Sequence, residues 1–286
     1  MALTKDIKMA RNIIDGKYSP CDNEEYSEVY LYSNEYLSHY AHLFEGTKTM
    51  LGVIGSGEQI FSAVLSGVEK IDAFDISKFA KLFFCLKKAA IESLSLEEYL
   101  MLFHPPHIGP ELSTDTRLFQ QLYQDKISAK LTPDDLVFWN YLFDNYSWWK
   151  ILSRLSRVHW ANDIRKDIQL KNNKFLDPKY YQELRARLKD TEISCQVGDI
   201  TSLVSKYKAE YDLIYLSNVI CYIKKDQFLS LLGRLKTTMD GLLLLTMVIN
   251  FDMLENRVGN FDFRKYSGSP YIFTREDGYI IGKKRG

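Results

Sequence analysis

Four short stretches of this 286-residue chain place glycines, acids and amides where they could hold a nucleoside-bearing small molecule. The first is Ile54-Gly55-Ser56-Gly57-Glu58-Gln59, directly after the apolar run Thr49–Ile54. Glycines let a backbone turn sharply and pass close beneath a ligand, and a helix starting there aims its first amides at it. The second is Asp75, at the end of the next apolar run, where a carboxylate can accept both hydroxyls of a ribose. The third is Gly198-Asp199-Ile200; an acid beside a backbone amide suits an adenine amino group and its ring nitrogen. The fourth is Ser217-Asn218, which ends the run from Tyr211, with Tyr222 shortly after. Asn218 and Tyr222 are the candidates for the reacting end. The set expected to touch the ligand is Gly55, Ser56, Gly57, Gln59, Asp75, Ile76, Asp199, Ile200, Ser217 and Asn218. Each element also has an ordinary use, as a strand-to-helix turn or a helix N-cap. Ser77 can cap the helix that follows Asp75, which leaves Asp75 for the ribose; for Asp199 the cap and the ligand uses are equally open.

The elements that must position these residues follow an alternating pattern from Thr47 onward. Thr49–Ile54 reads as a buried strand, Glu58–Ser66 as a helix closed by Gly67, and Lys70–Asp75 as a second strand. A long helix follows to about Ser93, with Phe79, Leu82, Phe83, Leu86 and Ala90 on one face. Such βαβα units build parallel sheets. Residues from about 95 to 178 break the alternation and read as a helical insert. The pattern resumes with a helix after Asp177-Pro178, strands at Glu192–Val197 and Tyr211–Leu216, a helix over Lys224–Leu235 and a strand over Gly241–Ile249. The tail alternates from Tyr271 to Lys283 around Asp277-Gly278, a hairpin signal. Residues 1–46 read as an N-terminal helical cap, and 47–286 as one Rossmann-like α/β domain carrying the insert.

A mostly parallel sheet closed by a C-terminal antiparallel hairpin is the pattern of Rossmann-like, class I methyltransferase-fold enzymes that use S-adenosylmethionine. A nicotinamide-binding domain would continue with another parallel half. It would also carry a third glycine near Gln59 or Ile60, which this chain lacks. The run LGVIGSGEQIFSAVLSGVEKIDAFDISKFAKLFFCLKKAAIESLSLEEYLMLF resembles the opening of the family that includes the S-adenosylmethionine:diacylglycerol 3-amino-3-carboxypropyltransferases of betaine-lipid synthesis. That resemblance implies a methyltransferase-type fold with S-adenosylmethionine at Gly55, Gly57, Asp75 and Asp199. One departure matters. Methyltransferases usually carry an acid two residues before the first glycine, where it helps hold the methionyl end; here Val53 stands there. The expected activity is therefore transfer from S-adenosylmethionine, of methyl first and of 3-amino-3-carboxypropyl as the alternative.

The acceptor is expected to be a small or lipid-like molecule walled by the insert and the tyrosine-rich N-terminal piece, with Tyr30, Asn34 and Trp148 the chosen contacts among several aromatics. Equal numbers of basic and acidic side chains, 37 each, leave no general basic face, so no nucleic-acid partner is expected. The basic stretch Arg154–Lys174 reads as a solvated helix face. Cys21, Cys85, Cys195 and Cys221 form no CxxC pair, and His104-Pro105-Pro106-His107 lacks further ligands, so no metal is expected. Cys85 and Cys195 read as core thiols. No signal peptide is legible, and no apolar run nears the roughly 18 residues a membrane span needs, so a reducing cytoplasm is the expected compartment.

Overall fold

The central parallel strands are largely buried, as helices or chain cover both faces of a parallel sheet, while the edge strand is more polar. In a computed structural model, which describes residues 4–21, 24–33, 35, 37–103, 116–157, 172–246, 257–258, 261–266 and 279–284, the parallel strands are β1 (Thr49–Val53), β2 (Lys70–Asp75), β3 (Glu192–Val197), β4 (Tyr211–Ser217) and β5 (Thr237–Thr246). Three more follow: the two-residue β6 (Arg257–Val258), β7 (Phe261–Tyr266) and β8 (Tyr279–Lys284). The sheet order is β3-β2-β1-β4-β5-β8-β7-β6. β1 to β5 are parallel, and β8 runs antiparallel between β5 and β7. With the short edge strand β6 set aside, this is the seven-strand order of the class I methyltransferase fold.

The helices among the described residues are α1 (Lys5–Ile14), α2 (Leu37–Tyr40), α3 (Glu58–Leu65), α4 (Lys78–Ser93), α5 (Leu96–Phe103), α6 (Thr116–Leu122), α7 (Pro133–Asn145), α8 (Trp148–Leu155), α9 (Pro178–Arg187), α10 (Ile200–Leu203) and α11 (Lys225–Leu232). The chain divides into two compact units. The helical unit comprises residues 1–33, 55–58 and 77–185; the sheet unit comprises 34–54, 59–76 and 186–286. Residues 1–33 and 77–185 thus cluster in one compact unit. The reason is an aromatic core built on α4. Phe83 meets Trp139 edge-on at 5.2 Å, and Trp148 stacks on Phe143 at 5.5 Å. Thr132 and Ser147 cap α7 and α8, each accepting a backbone N–H from the first turn.

In the sheet unit, Asp212 accepts the N–H groups of Lys48 and Thr49 and ties the amino ends of β1 and β4 together. β5 begins at Thr237, earlier than Gly241. Its first residues are polar and Met239 is exposed, so they do not carry a buried-strand signature. The antiparallel closure is present, but the partner of β8 is β7 and its other edge is taken by β5. The stretch from Tyr271 to Gly278 lies outside the described residues. Cys85 and Cys195 are half-buried, less enclosed than core thiols, and none of the four cysteines is in a disulfide.

Candidate functional site

The strand order reverses between β1 and β4, so the carboxyl edge of the sheet unit has its switch point there, the place where open α/β sheets bind ligands. Asp75 closes β2 and is 8% exposed. Its carbonyl accepts the N–H of Gly198 at 2.8 Å, which joins the ends of β2 and β3. Gly198 holds φ +149°, a backbone shape that side chains disfavour. Asp199 caps α10: one oxygen accepts the Thr201 N–H at 2.8 Å and the other the Thr201 hydroxyl at 2.7 Å. Ile200 turns inward, 2% exposed within the apolar core, so its side chain is a packing residue and not a ligand contact. Ile76 is 36% exposed. Asn218 starts a short 3-10 turn, its carbonyl accepting the Cys221 N–H at 2.8 Å, and Tyr222 after it is exposed. Gln59 is buried in α3.

The end of β4 carries an arrangement the sequence does not announce. Ser217 adopts φ +50°, alone among described non-glycine residues in the left-handed region. Its hydroxyl donates to Glu35, a buried carboxylate. Tyr215 donates its hydroxyl to the same carboxylate, 2.9 and 2.8 Å from the two oxygens, and Tyr40 donates to it as well. The rings of Tyr40 and Tyr215 stack at 6.1 Å. Burial, then the neighbouring Glu35 charge, pushes both phenols well above their ordinary range, so they stay protonated and act as donors.

In the helical unit, Gly55 and Gly57 hold φ +52° and +87°, the left-handed turn their glycine identity permits. The Ser56 carbonyl accepts from Lys87 Nζ at 3.0 Å, and Lys87 also donates to the Leu31 carbonyl. Lys87 is 1% exposed, and burial pushes its ammonium down to about 8 against the pull of Glu58. Glu58 accepts the Ser33 N–H at 2.7 Å and the Asn173 amide at 3.2 Å. Burial raises the Glu58 carboxyl, against Lys87 and those two bonds.

The expected acceptor contacts fare differently. Trp148 is a core residue: 2% exposed, its indole N–H satisfied by the Leu102 carbonyl at 2.9 Å, its ring inside the aromatic cluster. Nothing of it is left to face a ligand. The Tyr30 hydroxyl accepts from Arg157 at 2.9 Å, with the guanidinium 5.0 Å above its ring. Asn34 lies outside the described residues, as do His104, His107, His159 and Trp160. Among the described residues no group of three or more His, Cys, Asp or Glu could hold a metal. No helix among them is long and apolar enough to cross a membrane.

No protein-family model matches the chain. No curated protein matches it in sequence. Two solved structures of the rRNA methyltransferase AviRa from Streptomyces viridochromogenes are similar to it. One aligns at a TM-score of 0.44 and 10% identity, covering 92% of this chain and 90% of that one. The other gives 0.37 and 10% identity, covering 98% and 85%. A likeness of that degree says nothing of what this chain binds.

Glu35, Lys87 and Glu58 are the polar residues that sequence reasoning missed. Lys87 had a signal: it falls four residues after Phe83 and three before Ala90, on the apolar stripe of α4, where a lysine is out of place. Glu35 sits in a run of tyrosines with no period to mark it as buried. Only the fold brings it to Tyr215 and Ser217, far along the chain.

Proposed function

We propose that this protein binds S-adenosylmethionine and transfers a group from it, methyl being the leading reading, to a small or lipid-like acceptor. The single observation that carries the reading is the carboxyl edge of the methyltransferase-fold sheet, where Asp75 closes β2, Gly198-Asp199 follows β3 and the strained Ser217 closes β4. Left-handed non-glycine residues cluster at ligand sites, because strain persists only where surrounding contacts over-determine it. These residues fit the cofactor by donor and acceptor count. Asp75, acceptor-only when ionised, suits two ribose hydroxyls. Asp199 keeps a lone pair on each oxygen beyond its bonds to Thr201, enough for one adenine amino group.

When bound, the cofactor supplies a sulfonium-activated carbon. The chain's part is placement, since a nucleophile held in line with that carbon gains most of its advantage from proximity and orientation. Asn218 and exposed Tyr222 are the residues proposed to orient the acceptor. Val53, half-buried where an acid is usual, favours a second reading in which the aminocarboxypropyl carbon is the one presented. Incubation with S-adenosylmethionine and candidate acceptors, followed by mass spectrometry of the nucleoside product, decides between them. S-adenosylhomocysteine is the expected product and methylthioadenosine supports the second reading. Absence of calorimetric binding by S-adenosylmethionine and both product nucleosides would sink the cofactor assignment.

A further inference from the structure

We infer that Glu35, acting through Ser217, forms the subsite for the cofactor's α-ammonium group, supplying from the N-terminal segment the negative charge that Val53 does not. The inference rests on the S-adenosylmethionine reading above and names a part of that site which the sequence leaves empty.

The argument starts from proton counting. An ionised carboxylate only accepts hydrogen bonds. The hydroxyls of Tyr40, Tyr215 and Ser217 can each give their single proton to Glu35, and those of Tyr40 and Ser217 also lie within hydrogen-bond reach of the Tyr215 oxygen. Each of those oxygens can then only accept from anything further. Tyr40 and Tyr215 are buried at 3% and 0% exposure, whereas Ser217 is half-buried. Ser217, half-buried at the carboxyl end of β4, thus offers an acceptor oxygen beside a buried carboxylate. Hydrogen bonds in chains polarise one another, and burial of the carboxylate lessens screening by water. The partner such an oxygen prefers is a cationic donor, and an ammonium group is the cationic donor of S-adenosylmethionine.

Position agrees with chemistry. β1 and β4 are neighbours at the switch point, with Gly52 opposite Tyr215. Asp75 lies at the end of β2, on the other side of β1. Two strand spacings, about 10 Å, separate the ends of β2 and β4. A ligand with its ribose at Asp75 and its amino acid end at Ser217 runs across the end of β1. The left-handed backbone of Ser217 belongs to the same device, because it is what the bond to Glu35 helps to hold.

The test compares two ligands in calorimetric titration of the intact protein. S-adenosylhomocysteine carries the ammonium, and 5′-methylthioadenosine lacks it while sharing the nucleoside. Glu35→Gln and, separately, Ser217→Gly are expected to weaken S-adenosylhomocysteine tenfold or more and to leave methylthioadenosine within twofold. Ser217→Gly suits the left-handed backbone, so it keeps a folded test available if Glu35→Gln unfolds. The double variant is expected to lose no more than either single one. Equal weakening of both ligands would mean a structural role only and overturn the inference while the cofactor reading stood, as would no change in either. Wild-type protein binding neither ligand removes the cofactor reading, and this inference with it.

Discussion

At the scale of single residues, the two acids singled out by the motifs differ in what else they do. Asp199 also accepts two bonds from Thr201, so Asp199→Ala removes an N-cap besides the proposed adenine contact and should cost about 1 kcal/mol of stability, read by urea unfolding. Asp75 is not an N-cap, since Ser77 accepts the Ala80 N–H that opens α4. Asp75→Ala should therefore act on affinity. Losing charge-assisted bonds to a ribose costs about 2 kcal/mol or more, roughly a thirtyfold weaker titration with S-adenosylhomocysteine. Unchanged binding would place the ribose elsewhere. The positions of Gly55, Gly57, Asp75 and Ser217 were legible in sequence because strand ends and glycine turns are local signals. The role of Glu35 was not, since it depends on hydroxyls that only the folded sheet brings to it.

At the scale of elements, residues 24–33, read as helical, form turns, whereas the strands and helices from Thr49 to Ser93 follow the sequence pattern closely, and β2, α4 and β3 have the expected bounds. Their apolar residues recur with one clear period, and Ser77 and Gly67 mark ends. Trp148 shows where such reasoning fails. An aromatic on an amphipathic helix presents the same pattern whether its face meets a pocket or another helix. Here α8 meets aromatics from α4, α5 and α7. Trp148→Ala should thus behave as a core truncation and cost about 3–5 kcal/mol in urea unfolding. The check on its role is calorimetry on the folded fraction: S-adenosylhomocysteine affinity should hold, and a selective loss of affinity without loss of stability would return Trp148 to the ligand. The antiparallel C-terminal closure is present as expected, β8 pairing with β7 and β5, while Asp277-Gly278 lies outside the described residues.

At the scale of the whole molecule, net charge is zero, so the pH dependence of stability comes from individual buried groups and not from overall repulsion. Lys87 is the clearest. Its ammonium falls to about 8 in the folded state from an ordinary 10.5. Between those values the unfolded chain binds a proton that the folded one has released, so stability rises with pH across that window. Tyr32 and Tyr99 in the same unit shift the other way, raised by burial first and by the Glu58 charge second. Above pH 10 the unfolded phenols ionise while the folded ones keep their protons, and stability falls again. The expected profile climbs from about pH 8, peaks near pH 10 and declines beyond. Every tryptophan lies between residues 139 and 160, so indole fluorescence follows unfolding of the helical unit. Lys87→Met should erase the climb and keep the decline. A climb that survives the substitution would assign the proton to another group and leave Lys87 charged in the fold.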